Sequence, residues 1–423
     1  MDYQNFFSNK KPLSRNKIEL YSILTMGIIA FSTIFVYTYI KNSPVEPTDF
    51  PTINIVTKGE VNKHHFIDCI FELDDKKSSE QIEPINSKIK IRGKFNADLP
   101  KKGYRIELSK SKSLLGMRED DDWLLLAIYS DLNHIQTKLA FEIYRSLTPI
   151  NPSAILPDSE FVCLYINGEF QGLYLLMEKN DRRLFGLDDA QNNINSSLIF
   201  QSSYAHKNFK IYLNDEWEQD WPNEDEDIYI MDEIMIDLLE FVRDTPNEIF
   251  FNEETGIFSK FDELNLIDFY IFNFFILHDD FWDHNYFIMR NTYPNKFFLV
   301  PWDFDRCFGQ WLRRNNSPET NHEEFIRQRN ELYNRLLNNN DFRNGAKERW
   351  FKLREELWTE EFFLDMVSKI YEEIKDVLEI DQKMWYPWLF GDDWEQGVNK
   401  SVEWLYDWIS NRLEFCDLYF TDF

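Results

Sequence analysis

HDDFWDHNYFIMR (278–290) and FFLVPWDFDRCFG (297–309) are two largely apolar runs, each joined to a knot of carboxylates. A Phe-rich segment, Leu264–Leu277, has helical spacing and leads into His278, Asp279, Asp280, Asp283, His284 and Asn285. A short strand, Phe297–Val300, ends at Pro301 and delivers Asp303-Phe304-Asp305. Apolar strands that carry carboxylates at their ends suit a hard cation, because Mg²⁺ and Mn²⁺ take oxygen ligands. In such a site His278 and His284 serve as hydrogen-bonding neighbours rather than as ligands. Asp279 and Asp283 fit a helix end or a turn as well as a metal.

Outward from this core the chain divides into two compositional halves. Between Ile53 and Leu108 the runs INIVTKG, HFIDCIFEL, SKIKIRG and GYRIEL are β-branched or aromatic and broken by polar residues, the pattern of strands. Ile135, Leu139, Ile143 and Leu147 recur at four-residue spacing and predict a helix over Asn133–Leu147. Asn167-Gly168 between two apolar runs predicts a hairpin. The acidic stretch Asp215–Asp227 reads as a solvated loop, and Met231–Arg243 as a helix. From Glu323 onward the pattern is helical and rich in Trp. The expected class is α+β, with a β-rich lobe over about 53–180 and a helical lobe over about 181–423.

Composition narrows the function. The 423 residues hold 74 acidic and 46 basic side chains, a formal charge of −28, and 43% are hydrophobic. That much apolar content excludes global disorder. The acidic balance argues against nucleic acid as a partner, since phosphate binding needs Lys and Arg. An anionic ligand would need a metal or a local cluster of cations. Tyr21–Ile40 has no charged residue and is long enough to span about 30 Å of hydrocarbon, with Lys10, Lys11, Arg15 and Lys17 ahead of it. By the positive-inside rule this predicts a cytoplasmic tail (1–20), a transmembrane anchor in the lipid bilayer (21–40), a linker (41–52) and an extracytoplasmic domain (53–423). A cleaved signal peptide is the alternative. Cys69, Cys163, Cys307 and Cys416 are too widely spaced for a CxxC motif; they suit disulfides or scattered buried thiols.

Two spacings sharpen the site. His278-x-Asp280-x₄-Asn285 has the form of a protein-kinase catalytic loop, in which Asp handles the substrate hydroxyl and Asn holds a metal. The strand into Asp303-Phe304 is like the one leading to a kinase D-F-G, with Asp305 in place of Gly. Upstream, Lys101 and Lys102 precede a strand, Glu142 lies on the following helix, and Gly172–Glu178 has the pattern of a hinge strand whose backbone holds adenine. A surface position for the lysines and a solvated helix face for Glu142 are the simpler readings of those residues alone.

In this order the segments resemble the CotH (spore coat protein H) kinase family, an atypical, secretion-associated group with a protein-kinase-like fold. The resemblance rests on IRGKFNADLPKKGYRIEL (91–108), SLLGMREDDDWLLLAIYSDLNHIQTKLAFEIYRSL (113–147), FVCLYINGEFQGLYLLMEK (161–179), DDFWDHNYFIMR (279–290), FFLVPWDFDRCFG (297–309) and LLNNNDFRNGAKERWFKLRE (336–355). It implies ATP with Mg²⁺ or Mn²⁺ as cofactors and Ser/Thr of surface or exported proteins as acceptors. Asp280 would be the catalytic Asp, Asn285, Asp303 and Asp305 the metal ligands, and Arg92 and Lys102 the phosphate contacts. Glu142 and Glu178 would complete the nucleotide site. The family's Asn-Ser-Ser after Arg-Gly is here Lys94-Phe95-Asn96, and its R-N-K-L-A is Gln136-Thr137-Lys138-Leu139-Ala140, which alters the nucleotide loop. The competing expectations are an inactive adhesin or coat-assembly scaffold, and a kinase-like enzyme that transfers AMP or glutamate.

Overall fold

The computed structural model describes residues 50–75, 80–93, 96–202, 208–210, 212, 216–223, 230–279, 281–282, 284–311, 314–391 and 402–423. From Asp49 onward the chain forms one compact unit. Its first part is a closed barrel in the order β1-β2-β3-β4-β5-β7-β6. The strands are β1 (Thr52–Thr57), β2 (Ile67–Asp75), β3 (Glu80–Arg92), β4 (Gly103–Lys112), β5 (Asp120–Leu126), β6 (Ser159–Ile166) and β7 (Glu169–Glu178). Alternate residues point inward, as the two-residue strand period requires. Ile53, Ile55, Phe71, Leu73, Ile89, Ile106, Trp123, Leu125, Val162, Leu164, Tyr174 and Leu176 fill the barrel and are buried. The β6–β7 turn is Asn167-Gly168 with φ of 52° and 80°, the left-handed pair of a tight hairpin turn.

Between β5 and β6 lies helix α1 (Gln136–Arg145), whose Leu139 and Ile143, with the flanking Ile135 and Leu147, are fully buried. A second sheet, ordered β11-β10-β8-β9, combines β8 (Leu198–Ser202), β9 (Trp217–Trp221), β10 (Tyr286–Arg290) and β11 (Phe297–Pro301). It packs with α2 (Asp232–Asp244), α3 (Glu263–Phe275), α4 (Asn340–Glu356), α5 (Glu360–Phe390) and α6 (Val402–Thr421) around one large aromatic core. The Asn265 side chain of α3 pairs with β11 as a strand would: its Nδ2 donates to the Leu299 carbonyl (3.0 Å) and its Oδ1 accepts from the Leu299 N–H (2.7 Å). That pairing ties α3 to the strand that leads into Asp303.

The expected α+β content is present, but the expected kinase-like fold with two lobes behind a transmembrane helix is corrected. The β-rich part is not an open sheet, because β6 returns parallel to β1 and closes it, which leaves no free edge. Among the described residues no helix is long and apolar enough to cross a membrane. The most apolar helix, α3, has only 13 residues and lies in the core. The tail, the expected anchor (21–40) and most of the linker lie outside the described residues, so a single-pass membrane protein with its domain outside the cytoplasm is not supported. The acidic stretch is also not simply a loop: Trp217–Trp221 forms β9 with Trp217 buried, while 213–215 and 224–227 lie outside the described residues. All four cysteines are free and buried. Burial pushes the Cys69 and Cys163 thiols up to about 12, which makes them poor nucleophiles.

One packing detail sets a pH dependence. Among the described residues the fully buried Arg412 of α6 has no carboxylate partner; it donates to the carbonyls of Phe274 and Phe275 at the C-terminus of α3, and to those of Pro318 and Thr320. Burial, and then this guanidinium, lower the pKa of nearby His322 from 6.5 to about 4. The unfolded chain therefore binds a proton first as the pH falls, and stability is lost from about pH 6.5 down to about pH 4, on the order of 2 kcal/mol for a half-buried ring. Urea midpoints measured across that window should fall less steeply for His322→Gln than for the wild type.

Candidate active site

The open end of the β10–β11 hairpin forms the floor of a cavity of about 550 Å³ between the barrel and the second sheet. Asn285 immediately precedes β10, and Trp302 and Asp303 follow β11. The Trp302 N–H donates to the Asn285 carbonyl (2.9 Å), which keeps the two segments together beyond the last strand pair. Asn285 and Asp303 both take left-handed backbone, with φ of 63° and 61°. Asn and Asp tolerate that region better than other side chains with a Cβ. The β-branched Ile128 in the cavity wall also has a positive φ of 44°, a cost of about 1–3 kcal/mol that the surrounding packing must offset. Strained residues therefore cluster on this cavity.

The charges are arranged in layers. Asp303 is exposed to the cavity, and Asn285 and Asp305 are half-buried in its wall. Buried His278 donates from Nε2 to the Asp303 carbonyl (2.9 Å) and stacks on Phe281, so the preceding helix end holds the Asp303 backbone. The Ser130 hydroxyl donates to Asp305 Oδ2 (3.0 Å). Asp279 pairs with Arg306 at 2.9 Å and accepts from Asn316, which places it in the supporting framework. Arg92, the last residue of β3, reaches the same cavity with its guanidinium 6.0 Å from the Trp302 ring centre. Burial lowers the pKa of Arg92, and the Asp303 carboxylate opposes that effect.

The structure thus brings Arg92, Asn285, Asp303 and Asp305 to one cavity. Asp280 and Asp283 lie outside the described residues. Lys102 is not part of the cavity wall; its Nζ donates to the Ala97 carbonyl (2.8 Å). Glu142 sits on the outer face of α1, 3.8 Å from Lys138 and 3.5 Å from Arg145. Glu178 is buried at the end of β7, where it accepts from the N–H groups of Arg118 and Asp158 (2.9 Å each) and so ties together the entries to β5 and β6. Residues 173–178 of β7 cannot hold adenine as an open hinge would. β6 pairs with 173–177 and β5 with 175–178, while Asp381 accepts from the Leu173 N–H and Lys101 donates to the Leu173 carbonyl.

A family model for the CotH kinase protein matches residues 89–416, a span that includes the cavity and all of its named polar side chains. The chain belongs to the CotH kinase protein family. It is 25% identical over 305 residues to the inner spore coat protein H of Bacillus subtilis (strain 168), which covers 69% of this chain and 78% of that protein. Among solved structures, the golgi casein kinase aligns over 88% of this chain and 73% of its own, at 10% identity and a TM-score of 0.25. A likeness that low carries no argument about fold.

Within this CotH family chain, sequence reasoning missed the buried charge node beside the cavity. Lys101, not Lys102, lies in the cavity wall, with its Nζ fully buried against Asp381 Oδ1 (2.7 Å) and the Leu173 carbonyl (2.6 Å). Asp381 comes from α5, 280 positions away. Burial alone would raise the Asp381 pKa, but Lys101 and His134 hold it below the usual carboxylate range. Adjacent lysines point to opposite sides of an extended segment, and no local signal says which side will be inside.

The donor set fits a hard cation only with help. Among the described residues no group of three or more His, Cys, Asp or Glu could hold a metal ion. Asn285, Asp303 and Asp305 offer one amide and two carboxylates, all oxygen donors. Mg²⁺ is commonly held by one or two carboxylates plus substrate phosphates and water, a pattern these residues match.

Proposed function

We propose that the protein transfers the γ-phosphate of ATP to Ser or Thr hydroxyls of a protein substrate, with Mg²⁺ or Mn²⁺. The observation that carries this reading is the convergence of Asn285, Asp303 and Asp305 with the Arg92 guanidinium on a single strained cavity. Phosphoryl transfer asks the protein mainly for positioning and charge neutralisation, and this arrangement supplies both. Asn285, Asp303 and Asp305 would hold the cation, which neutralises the phosphates. Arg92 would steady the phosphate oxygens from its place beside Trp302. Asp280, five residues before Asn285, would accept the hydroxyl proton; this assignment rests on its spacing in the sequence.

The direct test is metal-dependent transfer from γ-labelled ATP to an acceptor peptide library, read on Ser and Thr. Failure of the full-length protein to bind or use ATP with either metal would favour a non-catalytic coat-type role. Two substitutions separate the cations. Arg92→Ala should raise the KM for ATP about tenfold, the loss of one charge-assisted contact of roughly 1.5 kcal/mol. Lys102→Ala should leave the KM within about twofold, because its ammonium is spent on the Ala97 carbonyl.

A further inference from the structure

The helix α5 lies far along the chain from the cavity, yet one of its faces grips two segments of the cavity wall. Asp381 Oδ1 accepts from Lys101 Nζ and from the Leu173 N–H, each at 2.7 Å. Its Oδ2 lies 2.7 Å from His134 Nε2. His134, itself in left-handed backbone (φ 56°), lies with Nδ1 2.7 Å from the Asp131 carbonyl, which can only accept, so Nδ1 carries a hydrogen. The neighbouring Gln382, through Nε2, and Tyr386, through its hydroxyl, both donate to the Leu132 carbonyl, at 3.1 and 2.7 Å. Trp385 Nε1 donates to the Gln171 carbonyl at 2.9 Å. Asp381, Gln382, Trp385 and Tyr386 thus form one helical face, spent on the loop 128–135 and on the β7 backbone.

That loop is part of the site. Ile128, Tyr129 and Ser130 line the cavity, and Ser130 bonds Asp305. Lys101 lines it from the barrel side. Gly172 gives the carboxylate room, since a Cβ there would sit 2.1 Å from Asp381 Oδ1.

We propose that Asp381 is a positioning residue for the phosphoryl-transfer cavity: it tethers the loop 128–135 and the Lys101 segment to α5, so that Ser130 and Asp305 are held in register only while α5 is docked. The inference rests on the phosphotransfer reading for its kinetic consequence, but the tether itself is a property of the fold. Removing Asp381 alone would strand the Lys101 charge in the core and risk unfolding the protein. The experiment therefore uses two double variants of the full chain. Lys101→Met with Asp381→Ala removes both charges and the contacts that Asp381 makes to His134 and the Leu173 N–H. Lys101→Met with Asp381→Asn removes both charges but keeps an acceptor for the Leu173 N–H and a polar amide beside His134 Nε2.

Amide hydrogen exchange is read across residues 128–137, and kcat and KM for ATP are measured alongside. The Ala double variant should exchange this loop at least about tenfold faster than the wild type. It should also lose roughly 100-fold in kcat with little change in KM, as expected for misplaced catalytic groups. The Asn double variant should recover most of both. Wild-type exchange in the Ala variant, or Asn and Ala variants that behave alike, would overturn the tether. If the wild type transfers no phosphate the functional reading fails, and the exchange data still decide the tether.

Discussion

Asp303→Asn should lower metal-dependent phosphoryl transfer by about 10²–10³-fold, the scale found when one preorganised electrostatic contact is removed from a reacting centre. Asn is the informative choice. It keeps the shape of the side chain, removes its charge, and tolerates the left-handed backbone that Asp303 occupies. Alanine would add a conformational penalty of about 1–2 kcal/mol to the chemical one. Because the Asp303 side chain is exposed to the cavity and its backbone is held by His278, the core should not notice the change. The unfolding midpoint should therefore stay close to that of the wild type while turnover collapses. A variant that kept metal-dependent transfer would remove Asp303 from the metal site and the proposed function with it.

Gly172→Ala should be among the most destabilising single substitutions in the barrel, at about 3–5 kcal/mol. The added Cβ would meet Asp381 Oδ1 at 2.1 Å and Trp385 Nε1 at 3.0 Å, in backbone with φ +108° that disfavours any side chain. Neither neighbour can yield cheaply. Asp381 is held by Lys101, His134 and the Leu173 N–H, so moving it breaks a buried ion pair. Gly168→Ala is the control: it has a similar left-handed φ of +80° but nothing within 4 Å, and should cost only about 1 kcal/mol. Urea denaturation of the two variants measures the difference. Equal midpoints would show that α5 does not press on β7 as described.

Much of the site was legible because its signals are local. A carboxylate that follows an apolar strand must emerge at the end of that strand, and the run into Asp303 and Asp305 announced itself that way. Asn167-Gly168 specified its hairpin because few dipeptides accept two successive left-handed residues. The amphipathic spacing from Ile135 to Leu147 placed a helix whose observed span, Gln136–Arg145, is shorter at both ends. The distant contacts were not legible. The choice between Lys101 and Lys102, the role of Asp381 and the burial of Glu178 all depend on partners far away in sequence.

The amino-acid sequence by itself determined the α+β content, most of the strands and helices, and the delivery of Asp303 and Asp305 by a short apolar strand. Periodicity and turn chemistry act over a few residues, so they can be read without a fold. Only the tertiary structure decided that the β-rich part closes into a barrel, that Lys101 turns inward to a carboxylate from α5, and that β7 has no open edge for a nucleobase along 173–178. Those outcomes come from burial. A charge or a backbone group removed from water must find a partner, and which one it finds depends on what packs against it.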